Sequence, residues 1–102
     1  MPILERTIES YLRKEVLKRG GRAIKLTSSS LRALPDRLCV FPDGVVAFVE
    51  CKAPGRRPSK NQQMMIELLM SMGHIAVWLD GRPSVDAFMK WLEDNKCVSL
   101  RT

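Results

Sequence analysis

The sequence predicts an α/β domain with the element order αβββαβα. Two observations carry that reading. Four short apolar runs bounded by turn residues read as strands, and three longer segments carry helical spacing or helix start and stop signals. A third observation limits its size: 102 residues with 45% hydrophobic and 27% charged side chains suit one modest core. Residues 1–102 are therefore read as a single domain.

In chain order, Ile8, Leu12 and Val16 recur at helical spacing and Gly20-Gly21 supplies a stop, so a helix is expected over about residues 3–19. RAIKL (Arg22 to Leu26) is a short strand candidate. The polar loop Thr27 to Pro35 leads to two strands, DRLCVF and VVAFVECK, on either side of Pro42-Asp43-Gly44. Ser59 is placed to cap a helix over about residues 60–72, which Gly73 ends. IAVWL (Ile75 to Leu79) is a fourth strand, and Ser84 is placed to cap a last helix through VDAFMKWLEDN.

The hairpin turn has a geometric consequence. Phe41-Pro42-Asp43-Gly44 suits a type I turn, with Gly44 available for the left-handed residue of a three-residue loop. Phe41 then faces Val45, and Asp36 falls opposite Glu50. Lys52 shares the face of Glu50, and Cys51 points to the other. Two close carboxylates repel, and one takes up a proton unless a cation lies between them. A hard divalent ion meets that need, because Mg²⁺ binds through one or two carboxylates and leaves other positions to water and phosphate. Such an ion polarises a phosphodiester and makes a bound water more acidic, while a nearby ammonium orients the nucleophile or stabilises developing charge. A bare E-x-K pattern is also compatible with plain ion pairing at a sheet edge.

Charge points to the partner. Seventeen Lys and Arg against eleven Asp and Glu give a net charge of +6, which favours a polyanion such as nucleic acid. The basic residues cluster in RKEVLKRGGR and KAPGRRPSK. No stretch approaches the roughly 18 apolar residues of a membrane span, and the N-terminal segment has early acids and no apolar signal core, which reads as cytoplasmic. Cys39, Cys51 and Cys97 lack metal-ligand spacing and read as buried thiols. His74, the only histidine, follows Gly73 and reads as a surface or helix-end residue.

Pro35-Asp36, the spacer to Glu50, and Glu50-Cys51-Lys52 resemble the PD-(D/E)xK nuclease superfamily. The longer strings KRGGRAIKL and LPDRLCVFPDGVVAFVECKAPGRRPSKNQQ resemble the VRR-Nuc (virus-type replication and repair nuclease) family, over roughly residues 7–80. The resemblance implies a restriction-endonuclease-like core with a mixed central sheet flanked by helices, and a Mg²⁺- or Mn²⁺-dependent endodeoxyribonuclease. It implies Asp36 and Glu50 as metal ligands, with the Cys51 backbone carbonyl as a third. Lys52 becomes the catalytic lysine. Gln62, with Gln63 as competitor, becomes the supporting glutamine, and Glu9, with Glu5 as competitor, the first-helix acid and further ligand. Leu34 departs from the glycine that often precedes the family's Pro-Asp.

Arg32 and Arg37, within the SSSLRALPDR loop, and Arg56, Arg57 and Lys60 after the catalytic strand are expected to bind DNA backbone. The segment Met64 to Met72 is apolar almost all round, which predicts a homodimer across this helix, with Trp91 of the last helix as a second contact; the competing reading has another helix of the same chain cover it. Small members of the resembled family imply branched DNA, such as a four-way (Holliday) junction, as first substrate, in the cytoplasm of a bacterial host if a phage carries the gene. The alternatives are a non-catalytic nucleic-acid-binding module, or a nuclease subunit that needs a partner.

Overall fold

The turn at Pro42 sets the pairing on which the rest of the sheet is built. The computed structural model describes residues 3–27 and 32–100. The elements are α1 (Glu5–Lys18), β1 (Arg22–Lys25), β2 (Arg37–Val40), a 3-10 turn at Pro42–Gly44, β3 (Val46–Cys51), α2 (Lys60–Ser71), β4 (Ile75–Leu79) and α3 (Arg82–Asp94). The Phe41 N–H donates to the Val45 carbonyl at 2.8 Å, and the ladder then runs Val40 to Val46, Cys39 to Ala47, Leu38 to Phe48 and Arg37 to Val49. That register leaves Asp36 and Glu50 as the next pair. The turn itself differs from the expected type I geometry. Asp43 lies at φ 65°, in the left-handed region, as does Gly44 at φ 79°; Asp is among the few residues with a side chain that tolerate it, because its short carboxylate bonds locally.

The sheet has the order β1-β2-β3-β4, with β1 antiparallel to β2, β2 antiparallel to β3, and β3 parallel to β4. The parallel pair requires a crossover, which α2 provides. Side chains alternate along β3: Ala47, Val49 and Cys51 enter one core, while Phe48 faces the other way. The first core joins Ile8, Leu12 and Val16 of α1 to Val85, Phe88, Met89 and Leu92 of α3. The second, smaller cluster sets Ile66 and Leu69 of α2 against Ala76, Phe48 and Trp78. Burying a Leu such as Leu12, which is fully enclosed, contributes about 2 kcal/mol.

One expectation changes in detail, and one pair of competing readings is decided. The last helix begins at Arg82, not after Ser84. Pro83 sits in its first turn, where its missing N–H costs nothing, and the Ser84 hydroxyl reaches back to accept from the Asp80 and Gly81 N–H groups at 3.1 and 3.2 Å. The helix α2 is not surrounded by its own chain: α1 and α3 pack on the opposite face of the sheet, and Met64, Leu68, Met70 and Met72 are each half or more exposed. Among the described residues no helix is long and apolar enough to cross a membrane.

Candidate active site

Asp36 stands between Pro35, which is fully buried, and the first residue of β2. Its carbonyl accepts from the Leu26 N–H at 2.8 Å, so the β1–β2 pairing holds its backbone. Across the hairpin, the Asp36 N–H donates to Glu50 Oε1 at 3.2 Å, and the Cys51 N–H donates to Asp36 Oδ1 at 3.4 Å. These two bonds place the carboxylate of each strand end against the backbone of the other. The Lys52 N–H continues the parallel pairing by donating to the Leu79 carbonyl at 2.9 Å.

Glu50 is one of the few buried charged side chains, and such groups survive only when partnered. Its Oε2 lies 3.3 Å from Lys52 Nζ and accepts from Gln62 Nε2 at 3.4 Å. Gln62 also closes a capping box with Ser59: the Gln62 N–H donates to Ser59 Oγ, and the Ser59 N–H donates to Gln62 Oε1. One side chain thus fixes the start of α2 and touches Glu50, a contact that Gln62 makes and for which Gln63 was the competitor.

The first helix supplies the other acids. Glu5, Glu9 and Asp36 each offer a carboxylate oxygen within 4.8 Å of the others. Both candidate first-helix acids therefore reach Asp36, whereas Glu50 is not part of that triad. Glu9 is the more constrained, because Arg37 Nη2 and Nε lie 2.9 and 3.1 Å from its Oε1. Arg37, expected on the DNA-facing side, thus turns its guanidinium inward, and its Nη1 donates to the Ala23 carbonyl of β1 at 3.4 Å. Sequence reasoning missed this pair, since nothing in the spacing of residues 9 and 37 signals a contact.

Burial raises the pKa of the Asp36 carboxyl, Glu9 and Glu5 raise it further, and the Cys51 N–H and Arg37 pull the other way. Burial likewise raises that of Glu50, followed by the charge of Asp36, with Lys52 opposing. By count, the four acids Glu5, Glu9, Asp36 and Glu50 meet the two cations Arg37 and Lys52 in this corner, which leaves negative charge in surplus when all are ionised. Hard oxygen donors with surplus negative charge fit a divalent cation such as Mg²⁺ or Mn²⁺. Thiol chemistry does not fit here: burial pushes the Cys39 thiol up to about 12 and Cys51 higher still, and the Cys51 side chain faces the core.

Arg56, Arg57 and Lys60 are exposed between β3 and the first turn of α2, and Arg32 is exposed ahead of Pro35. Residues 28–31 of the hydroxyl-rich loop lie outside the described residues. His74 is exposed just after α2, with its N–H on the Leu69 carbonyl and its ring 6.0 Å from Phe48.

This architecture, with an acid at the head of β2 and Glu-x-Lys at the end of β3, is that of the PD-(D/E)xK nuclease fold. No family model matches the chain. A protein named "Putative nuclease p44", from Acyrthosiphon pisum secondary endosymbiont phage 1, is 44% identical to it over 80 residues, covering 78% of this chain and 86% of that one. A solved structure of a VRR_NUC domain superposes with a TM-score of 0.79 at 25% identity, over 84% of this chain and 94% of that one. The chain belongs to the VRR-Nuc family.

Proposed function

We propose that this protein is a divalent-metal-dependent endodeoxyribonuclease, with Mg²⁺ or Mn²⁺ as cofactor and branched DNA as substrate. One observation carries the metal dependence: three carboxylates of two elements converge within 4.8 Å at Asp36, beside a buried Glu50 that the cross-strand bonds hold against the Asp36 backbone. In this reading residues 1–102 form one nuclease domain, and Asp36, Glu50, Glu9 or Glu5, and the Cys51 carbonyl would hold the ion. A divalent ion bound there supplies charge that polarises the phosphodiester and acidifies water.

The protein groups do the rest. Lys52 presents its ammonium beside Glu50, where it orients the attacking water or stabilises charge developing on the phosphate. Gln62 holds Glu50 from the α2 side, so the carboxylate does not swing away when Lys52 engages substrate. Arg32, Arg56, Arg57 and Lys60 bind backbone phosphates without reading sequence. The exposed row of Met64, Leu68, Met70 and Met72 supports a homodimer across α2, and a twofold pair of sites suits symmetric cuts in a four-way junction. We place the reaction in the cytoplasm.

A second reading, a binding module without turnover, draws support from the ion pairs: Glu9 and Glu50 each already have a cation, Arg37 and Lys52. A substrate panel separates the two. Labelled four-way junction, flap, duplex and single-stranded DNA are incubated with Mg²⁺, Mn²⁺ or EDTA, and oligomeric state is measured by light scattering. Paired symmetric nicks in the junction by a dimer are expected; tight binding with no cut in either metal supports the second reading.

A further inference from the structure

The first basic cluster of the sequence takes no part in the site described so far, yet it surrounds a groove. Between α1 and β1 lies an open trough of about 720 Å³, lined by Ser10, Arg13, Lys14 and Leu17 from the helix and by Arg22 and Ile24 from the strand. Ser10, Arg13, Lys14 and Leu17 fall three, four and seven residues apart, so they share one helical face. Across the trough, β1 is the edge strand of the sheet. Leu17 and Ile24, each about half exposed, form an apolar floor between the cations.

Among the described residues, Arg13, Lys14 and Arg22 have no carboxylate within ion-pair distance, in contrast to Lys18, Arg19, Arg37, Lys52 and Lys90. Arg22 spends one N–H on the Gly21 carbonyl at 2.9 Å and retains the other donors of its fork. Three uncompensated cations over an apolar floor match the alternating phosphates and sugars of a nucleic-acid backbone. Among the described residues no aromatic side chain lines the trough, so it has no platform for unstacked bases, which favours a duplex arm over a looped-out strand.

A chain of contacts also joins the trough to the catalytic corner. Ala23, which lines it, accepts from Arg37 Nη1 through its carbonyl, and the same guanidinium holds Glu9. A backbone lying in the trough therefore runs toward Asp36. Arg56, Arg57 and Lys60 flank the corner from the α2 side, on the other face of the sheet. We infer that the α1–β1 groove is a second backbone-binding site that holds a duplex arm of the substrate through Arg13, Lys14 and Arg22. This rests on the nuclease reading for its choice of ligand and deepens it: two separate backbone tracks meeting at one site are what a branched substrate needs.

The test is binding, measured apart from cutting. Affinity for a four-way junction and for linear duplex is titrated in EDTA at several salt concentrations, for the wild type and for a triple variant, Arg13→Gln, Lys14→Gln and Arg22→Gln. All three positions are exposed, so folding is preserved and is checked by thermal melting. A control, Lys90→Gln with Lys96→Gln, removes charge on and beyond α3. The triple variant is expected to bind the junction at least about tenfold more weakly. Its slope of log affinity against log salt should fall by about 2 to 3, roughly 0.9 for each phosphate that is no longer neutralised. The control should change neither. Unaltered affinity and slope in the triple variant overturn the inference and leave the groove to an acidic protein; an equal loss in the control also overturns it, reducing the effect to net charge. The outcome is independent of catalysis: weakened binding in the variant upholds the groove even if the wild type cuts nothing, a result that would instead sink the nuclease reading.

Discussion

Replacing Asp36 by Asn should make the metal-free protein more stable while destroying its function. Asn keeps a carbonyl oxygen for the Cys51 N–H and the volume of Asp, and removes one charge from a crowded corner. Oxygens of Glu9 and Glu5 lie within 4.8 Å of an Asp36 oxygen, and at an effective dielectric of 20 two unit charges at that separation repel by about 3 kcal/mol. Arg37, 2.9 Å from Glu9, offsets much of this, leaving a net gain of about 1 kcal/mol on neutralisation. For a domain of this size that is a rise in Tm of about 4 °C or more.

The assay is thermal unfolding in EDTA at neutral pH, repeated with Mg²⁺ and at low pH. Burial and the neighbouring acids hold the Asp36 carboxyl above its ordinary value of 3.8. The folded state thus binds this proton more tightly than the unfolded chain, and wild-type stability falls as pH rises through the raised pKa. The advantage of Asn should therefore be complete above that pKa and vanish below 3.8. Mg²⁺ should stabilise the wild type, by about 1.4 kcal/mol at tenfold excess over Kd, and leave the variant unmoved. A variant that melts lower than wild type in EDTA, or that responds equally to Mg²⁺, refutes the idea of a charge-strained cation site.

Other outcomes follow from the same geometry. Arg37→Met leaves Glu9 unpaired beside Asp36; unfolding in EDTA should show a loss of about 1 to 3 kcal/mol, partly recovered on adding Mg²⁺. Gly21→Ala places a Cβ 2.5 Å from the Val40 carbonyl oxygen and 2.9 Å from Val16, and denaturant melts should report a cost of about 2 kcal/mol or more. Glu15 is held below its ordinary 4.5, first by Lys18 and also by Arg19, so its contribution is present above 4.5 and lost as pH falls through the lowered value; Glu15→Gln should flatten the acid limb of the stability profile. Leu68→Glu on the exposed face of α2 should turn a dimer into a monomer by light scattering, while the monomer's own unfolding free energy changes by no more than about 0.5 kcal/mol.

Much of this site is legible in the sequence alone, because it rests on local rules. A three-residue turn fixes which residues oppose each other, and strand alternation then puts Glu50 and Lys52 on one side and Cys51 on the other. Ser59 announces the start of α2, and a capping box brings its third residue, Gln62, back toward the strand end. What was hidden depends on helix-to-sheet packing. Arg37 reads as one more basic residue beside a loop until α1 is docked and Glu9 comes within reach. The choice between Glu5 and Glu9 stays open for a related reason: one helical turn separates them, and both reach Asp36. The apolar sequence of α2 implied burial on every side, but a four-stranded sheet with two helices on one face covers only the inner side of the third.

The central question is whether Asp36 serves catalysis and not merely folding. The direct measurement is single-turnover cleavage of a labelled four-way junction in Mg²⁺ by the wild type and by Asp36→Ala, with binding measured in parallel. Metal-dependent cutting by the wild type, and at least roughly a thousandfold slower cutting by a variant that binds with nearly unchanged affinity, is the expected result. Cutting by Asp36→Ala at the wild-type rate would contradict it.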